Sequence, residues 1–242
     1  MRSLPSLPCA ALFLPAFIAP AQEPSLPALL ARLQALSTDQ LRGLQARLAL
    51  DPAPADKKAY HELHLAYALA SRLQKEDPKT AEQLTDRALK SHEASRDPEI
   101  QILMGAFLGL KIGFSPMSAM VLSPKAMGRF ERALAQQPGN PRALLFKAIH
   151  TLHMPAFVGG GAEAALPLAE EAARRAAAEP APADPWAPAW GRVESLGWLA
   201  YIQAKAGKPA EARATASRAL ALDPGNPFVT RQVLPLLKDL AS

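Results

Sequence analysis

The sequence predicts an all-α fold, a right-handed α-solenoid of antiparallel helix pairs. No stretch alternates apolar and polar residues between hairpin turns. Apolar residues recur instead at spacings of three and four, the period of an amphipathic helix. The phrase Pro138-Gly139-Asn140-Pro141 returns as Pro224-Gly225-Asn226-Pro227, an offset of 86 residues, each time after an Ala-Leu pair, Ala133-Leu134 or Ala219-Leu220. That offset fits about two helical-hairpin repeats of roughly 34 residues plus inserted loops. The chain has 242 residues, 49% of them hydrophobic and 20% charged. This is room and composition for one domain or one short array, and it excludes wholesale disorder.

Residues 1–21 read as an export signal. Arg2 supplies the positive start, an apolar run including Phe13, Phe17 and Ile18 follows, and Ala19-Pro20-Ala21 fits a small-x-small cleavage site before Gln22. Pro5, Pro8, Pro15 and Pro20 interrupt the run, which argues against a membrane anchor of about 20 apolar residues. A periplasmic or secreted protein with no stable membrane span follows. The only cysteine, Cys9, lies inside this segment, so the mature chain has no disulfide and no thiol chemistry. The formal charge is +5; Arg2 is the only charge removed with the signal, leaving +4 scattered among acidic residues. That is too little, and too dispersed, for nucleic acid.

Three parts follow: the signal at 1–21, a helical cap at 22–55 and a repeat domain at 56–242. The expected helices run near 25–36, 39–50, 56–74, 78–94, 98–113, 124–137, 141–153, 161–178, 190–206, 208–222 and 227–241. Ser37 with Gln40 forms a capping-box pattern at the second. Asp77-Pro78, Asp97-Pro98, Ser123-Pro124, Asn140-Pro141 and Asn226-Pro227 each put a capping side chain before a proline. Proline suits a first helical position because its missing N–H has no acceptor there.

The clearest unit is 193–226, with Leu199-Ala200 on its first helix, Gly207 at the turn, Ala212 and Ala219 on its second helix and Pro224 at its end. Small residues there let paired helices approach closely. Ala126, Phe130, Ala133 and Pro138 repeat those offsets, and Ala81 with Ala88 repeats them in part. A generic alanine-rich bundle is the alternative.

At these positions the chain resembles the tetratricopeptide repeat, in particular exported bacterial proteins of that family with a Tyr-rich first helix, an Asn-Pro-Arg, a Pro-x-Phe-Gly-Gly-Gly loop and a Pro-x-Trp-Gly segment. The matching residues are Tyr60 and Tyr67, Asn140-Pro141-Arg142, Pro155 to Gly161, and Pro188-Ala189-Trp190-Gly191. Val158 is inserted before the glycines and 179–189 is rich in Pro and Ala. The resemblance spans roughly 55–240. It implies an exported helical scaffold and brings no established activity.

Gly159-x-Gly161-x-x-Ala164 matches the dinucleotide fingerprint formally. That motif needs a strand before it, and here a helix is expected. A steric role for Gly159, Gly160 and Gly161 is the better reading. His61 with His64, and His150 with His153, share a helix face within each pair. They are candidate zinc or copper ligands; the simpler reading is packed, hydrogen-bonded pairs. The spacing His61-Glu62-Leu63-His64 is one residue short of a metalloprotease motif. No nucleophile elbow or phosphate loop occurs, so no catalytic residue and no cofactor are expected.

Trp186 and Trp190, near Trp198, are candidate interface anchors or packing residues. Two turns inside helix pairs are long and apolar: Phe114 to Leu122, with Met117 and Met120, and Met154 to Val158, with Phe157. Such turns emerge on one edge of an array, either packing together as a cap or forming the lip of a binding site. The expected protein is a non-catalytic scaffold holding a partner protein or peptide. The alternatives are a carrier of a small apolar ligand serving transport, and a histidine-based metal-binding helper.

Overall fold

The computed structural model describes residues 24–240. The signal reading of 1–21, its cleavage before Gln22 and Cys9 lie outside them. Every regular element described is helical: α1 (Leu26–Leu30), α2 (Thr38–Leu50), α3 (Ala55–Glu76), α4 (Pro78–Ser91), α5 (Pro98–Phe114), α6 (Ala119–Gln136), α7 (Pro141–His153), α8 (Ala162–Ala178), α9 (Arg192–Lys205), α10 (Pro209–Leu222) and α11 (Leu234–Asp239). Short 3-10 turns occupy Leu33–Ala35, Pro116–Ser118 and Ala156–Val158, and a π turn at Val229–Val233 leads into α11.

Helices pair in sequence as α3/α4, α5/α6, α7/α8 and α9/α10, and each pair packs on the next. The odd-numbered helices α3, α5, α7 and α9 also touch one another in series and form one layer. The result is an all-α, solenoid-like array, as the periodicity requires.

Most starts are chemically set. Ser37 and Gln40 complete a capping box. Asp77, Asp97 and Asn140 accept from backbone N–H groups one turn on, and Asn226 Oδ1 accepts from Val229 N–H at 3.1 Å. Ser123-Pro124 is the exception. The helix expected from 124 begins at Ala119, with Pro124 inside it. Pro124 sits near the N-terminus on an exposed turn, so it forfeits one bond, to the Met120 carbonyl, where solvent reaches it.

The even-numbered helices share one register. Ala81, Thr85 and Ala88 in α4 are buried, as are Ala126, Phe130 and Ala133 in α6 and Ala212, Ala216 and Ala219 in α10. Helix α8 carries a fourth copy, Ala165, Ala169 and Ala172. Alanine fills so many of its positions, on both buried and exposed faces, that no single register stands out in the sequence. The core runs along the array as three clusters, Leu30, Leu41, Leu44 and Leu65 at the N-terminal end, Phe107, Phe130 and Leu145 in the middle, and Ile202, Val229 and Leu237 at the C-terminal end, with partly buried Leu84 and Leu168 packed between successive clusters.

Candidate functional site

Two regions gather the residues that the sequence singles out. The first is the odd-helix layer, where residues 179–191, between α8 and α9, run back over α3 and α7. Two helix starts build its centre. Asp97-Pro98-Glu99 opens α5 and Asn140-Pro141-Arg142 opens α7, and each cap leaves the third residue pointing along the same edge. Arg142 meets Glu99 there through Nε and Nη2, both at 3.0 Å. It also grips both oxygens of Glu179 at 2.8 Å and donates to the Trp190 carbonyl at 3.1 Å. Burial works against this guanidinium, but the two carboxylates prevail and raise its pKa.

Trp190 then reaches α3. Its indole N–H donates to the Tyr60 hydroxyl at 2.5 Å. Its ring stacks on His64, centroids 4.6 Å apart, and meets Phe146 edge-on. His61 Nε2 donates to the Trp186 carbonyl at 2.8 Å, and Lys57 pairs with Asp184. Burial pushes the Tyr60 hydroxyl up. Burial, with the charges of His61 and Arg142, lowers the His64 pKa to about 3. The histidines are therefore neutral, with His61 Nδ1 and His64 Nδ1 buried and without a hydrogen-bond partner. Chemically this is a clasp: its arginine is saturated, its tyrosine engaged and its imidazoles uncharged.

The four histidines do not form one ligand set. His150 Nε2 lies 2.8 Å from Ser123 Oγ, and His153 faces Trp198. Among the described residues no three His, Cys, Asp or Glu side chains converge as metal ligands. Tyr60, Arg142 and the Pro188-Ala189-Trp190-Gly191 segment, far apart in the sequence, meet in this clasp. Glu99 and Glu179 were missed. The available signal for Glu99 is its matching position with Arg142 at two successive helix starts, but opposite charges at matching positions do not say that they touch.

The second region is the pair of turns inside α5/α6 and α7/α8; the turn expected over 114–122 is shorter, since Phe114 ends α5 and Met120, Val121 and Leu122 belong to the first turn of α6. Phe114 and Met154 are half-buried, and Phe114 packs on the central core. Met117 is 92% exposed, Met120 90% and Phe157 89%, and Val121 and Val158 are also exposed. The glycines shape the second turn. Gly159 and Gly161 have φ of 83° and 102°, open to glycine at little cost. A Cβ on Gly160 would run into the Met154 carbonyl. The Gly161 N–H returns to the Thr151 carbonyl at 2.9 Å, which pins the loop to the end of α7 and holds Phe157 outward. A helix precedes this loop and no strand occurs among the described residues, so a dinucleotide fold is not what surrounds it.

No protein-family description matches the chain, and no curated protein matches it. Among solved structures, the HusA haemophore from Porphyromonas gingivalis is similar over 74% of this chain and 91% of its own, with 23% identity and a TM-score of 0.60. The likeness is one of fold.

Proposed function

We propose that the chain is an exported, non-catalytic tetratricopeptide-type binding protein that holds a partner protein or peptide against its turn edge. The observation that supports this reading is the exposure of Met117 and Phe157 on turns inside helix pairs and of Met120 in the first turn of α6. Isolated apolar side chains on a surface are ordinary, but methionine and valine at 117–121 and phenylalanine and valine at 157–158 offer adaptable contact groups, and successive pairs of an array are expected to present such turns on one edge. The odd-helix layer is a poorer candidate at its N-terminal end. The segment 179–191 already covers Tyr60, His61 and Arg142 there, and Trp190 is buried.

The test is copurification of the tagged chain from its source, read by native mass spectrometry. An exported protein should accompany the native chain and be lost from Phe157→Ala and Met117→Ala at an unchanged melting temperature. Retention of the partner by both variants, or a clear fall in their stability, overturns the reading. A second reading, a carrier of a small apolar ligand, is favoured by the haemophore of similar fold. It predicts that haem added to the chain binds stoichiometrically, with a shifted Soret band, and that no protein copurifies.

A further inference from the structure

Helices α4 and α6 leave between them, above α5, a cleft of about 420 Å³. That falls within the roughly 300–1,000 Å³ of small-molecule sites. Its floor is apolar: Leu89 of α4, Met104 and Leu108 of α5, and Leu122 of α6. Around it stand Lys90, Lys125, Arg129 and Arg132, opposed by one carboxylate, Glu93.

None of these four cations forms an ion pair among the described residues. Arg129 donates to the Glu93 carbonyl at 3.1 Å and Arg132 to the Gln101 side-chain oxygen at 3.3 Å, both neutral acceptors. Elsewhere clustered arginines are matched by acids, as Arg174 and Arg175 are by Glu171. Gly128 adds an independent sign. It lines the cleft in the interior of α6, and the only atom near the place of its missing Cβ is Arg132 Nη1, at 3.5 Å. A larger residue would fit the helix and fill the cleft.

We propose that this cleft binds a small amphipathic carboxylate of the medium-chain fatty acid type. The tail lies on the Leu89, Met104, Leu108 and Leu122 floor, and the head group lies against Lys125, Arg129 and Arg132. An apolar body loses its hydration on the floor, and a carboxylate gives the arginines the charge-assisted partners that they lack. The site shares none of Met117, Met120 and Phe157 with the turn edge.

The experiment is calorimetric titration of the full chain with sodium dodecanoate below its micelle concentration. One-to-one binding is expected. Acetate, which has no tail, and dodecyltrimethylammonium, which has the wrong charge, should bind at least about tenfold more weakly. Lys125→Glu with Arg129→Glu should weaken dodecanoate by at least about tenfold. Gly128→Leu should abolish binding at an equal or higher melting temperature, since glycine weakens a helix interior. If Gly128→Leu melts lower, the charge reversals at the surface carry the test. Phe157→Ala should leave the affinity unchanged, which keeps this result separate from the turn-edge reading. No binding, or equal affinity in the charge-reversed chain, overturns the proposal.

Discussion

Arg142 is the most heavily hydrogen-bonded charged side chain among the described residues. Its guanidinium satisfies two carboxylates and a carbonyl in a site where its side chain is 6% exposed. Removing one member of a buried charge set leaves the others unpaired, which costs about 3–5 kcal/mol. Because Glu179 is 32% exposed, Arg142→Met should sit at the low end, about 3 kcal/mol, read as a shift of the urea midpoint. Arg142→Lys should recover less than half, because an ammonium lacks the planar fork. His64 sets a pH dependence. Its pKa is about 3 folded against 6.5 unfolded, so between those values the unfolded chain binds the extra proton. Stability is full above pH 6.5 and falls as pH drops below it. Lowering pH from 6.5 to 5 should cost about 2 kcal/mol through this group. The lowered pKa values of His61, His150 and His153 act in the same direction, and the raised value of Glu194 opposes them. His64→Phe, which keeps a ring on Trp190, should therefore flatten the acid limb of the melting curve without abolishing it. An unchanged slope would mean that His64 is charged in the fold.

Within a helix the decisive variable is how close its partner may come. Ala219 is wholly buried between α10 and its neighbours. Ala219→Leu should cost about 1–3 kcal/mol by overpacking, and a thermal melt equal to the parent's would show that the register of that pair is wrong. Helix starts were legible for the same local reason. A cap acts on N–H groups two or three residues away, so Asp97 and Asn140 could be read without knowing the fold. Ser123-Pro124 misled because the preceding 3-10 turn at Pro116–Ser118 already begins the helix. Apolar residues at 119–122 then continue it through a proline that the local rules treat as a start.

Repeat arrays are held by nearest-neighbour contacts, so their ends can loosen independently. Residues 179–191 break that rule by joining the start of α9 to α3 and α7 through Trp190, Trp186 and Asp184. Trp190→Ala should remove this long-range tie. Hydrogen exchange should then show α2 to α4 losing protection while α9 and α10 keep theirs. Equal loss along the chain would mean that the clasp does not couple the ends.

Helix periodicity, caps and the small-residue register are properties of neighbours in the chain, and they sufficed for the all-α array; whether the apolar residues at 114–122 and 154–158 pack together or stand exposed, as Met117, Met120 and Phe157 do, was open until the fold placed them. The clasp and the cationic cleft were out of reach. Tyr60 and Trp190 are separated by 130 residues, and a tyrosine, an arginine or a tryptophan read alone is equally a packing residue or a binding one. Lys90, Lys125, Arg129 and Arg132 read as solvated helix faces until α4 and α6 set them around one apolar floor. Such meetings depend on how much each helix pair turns relative to the last. That rotation is summed over many packing contacts, and no short stretch of residues encodes it.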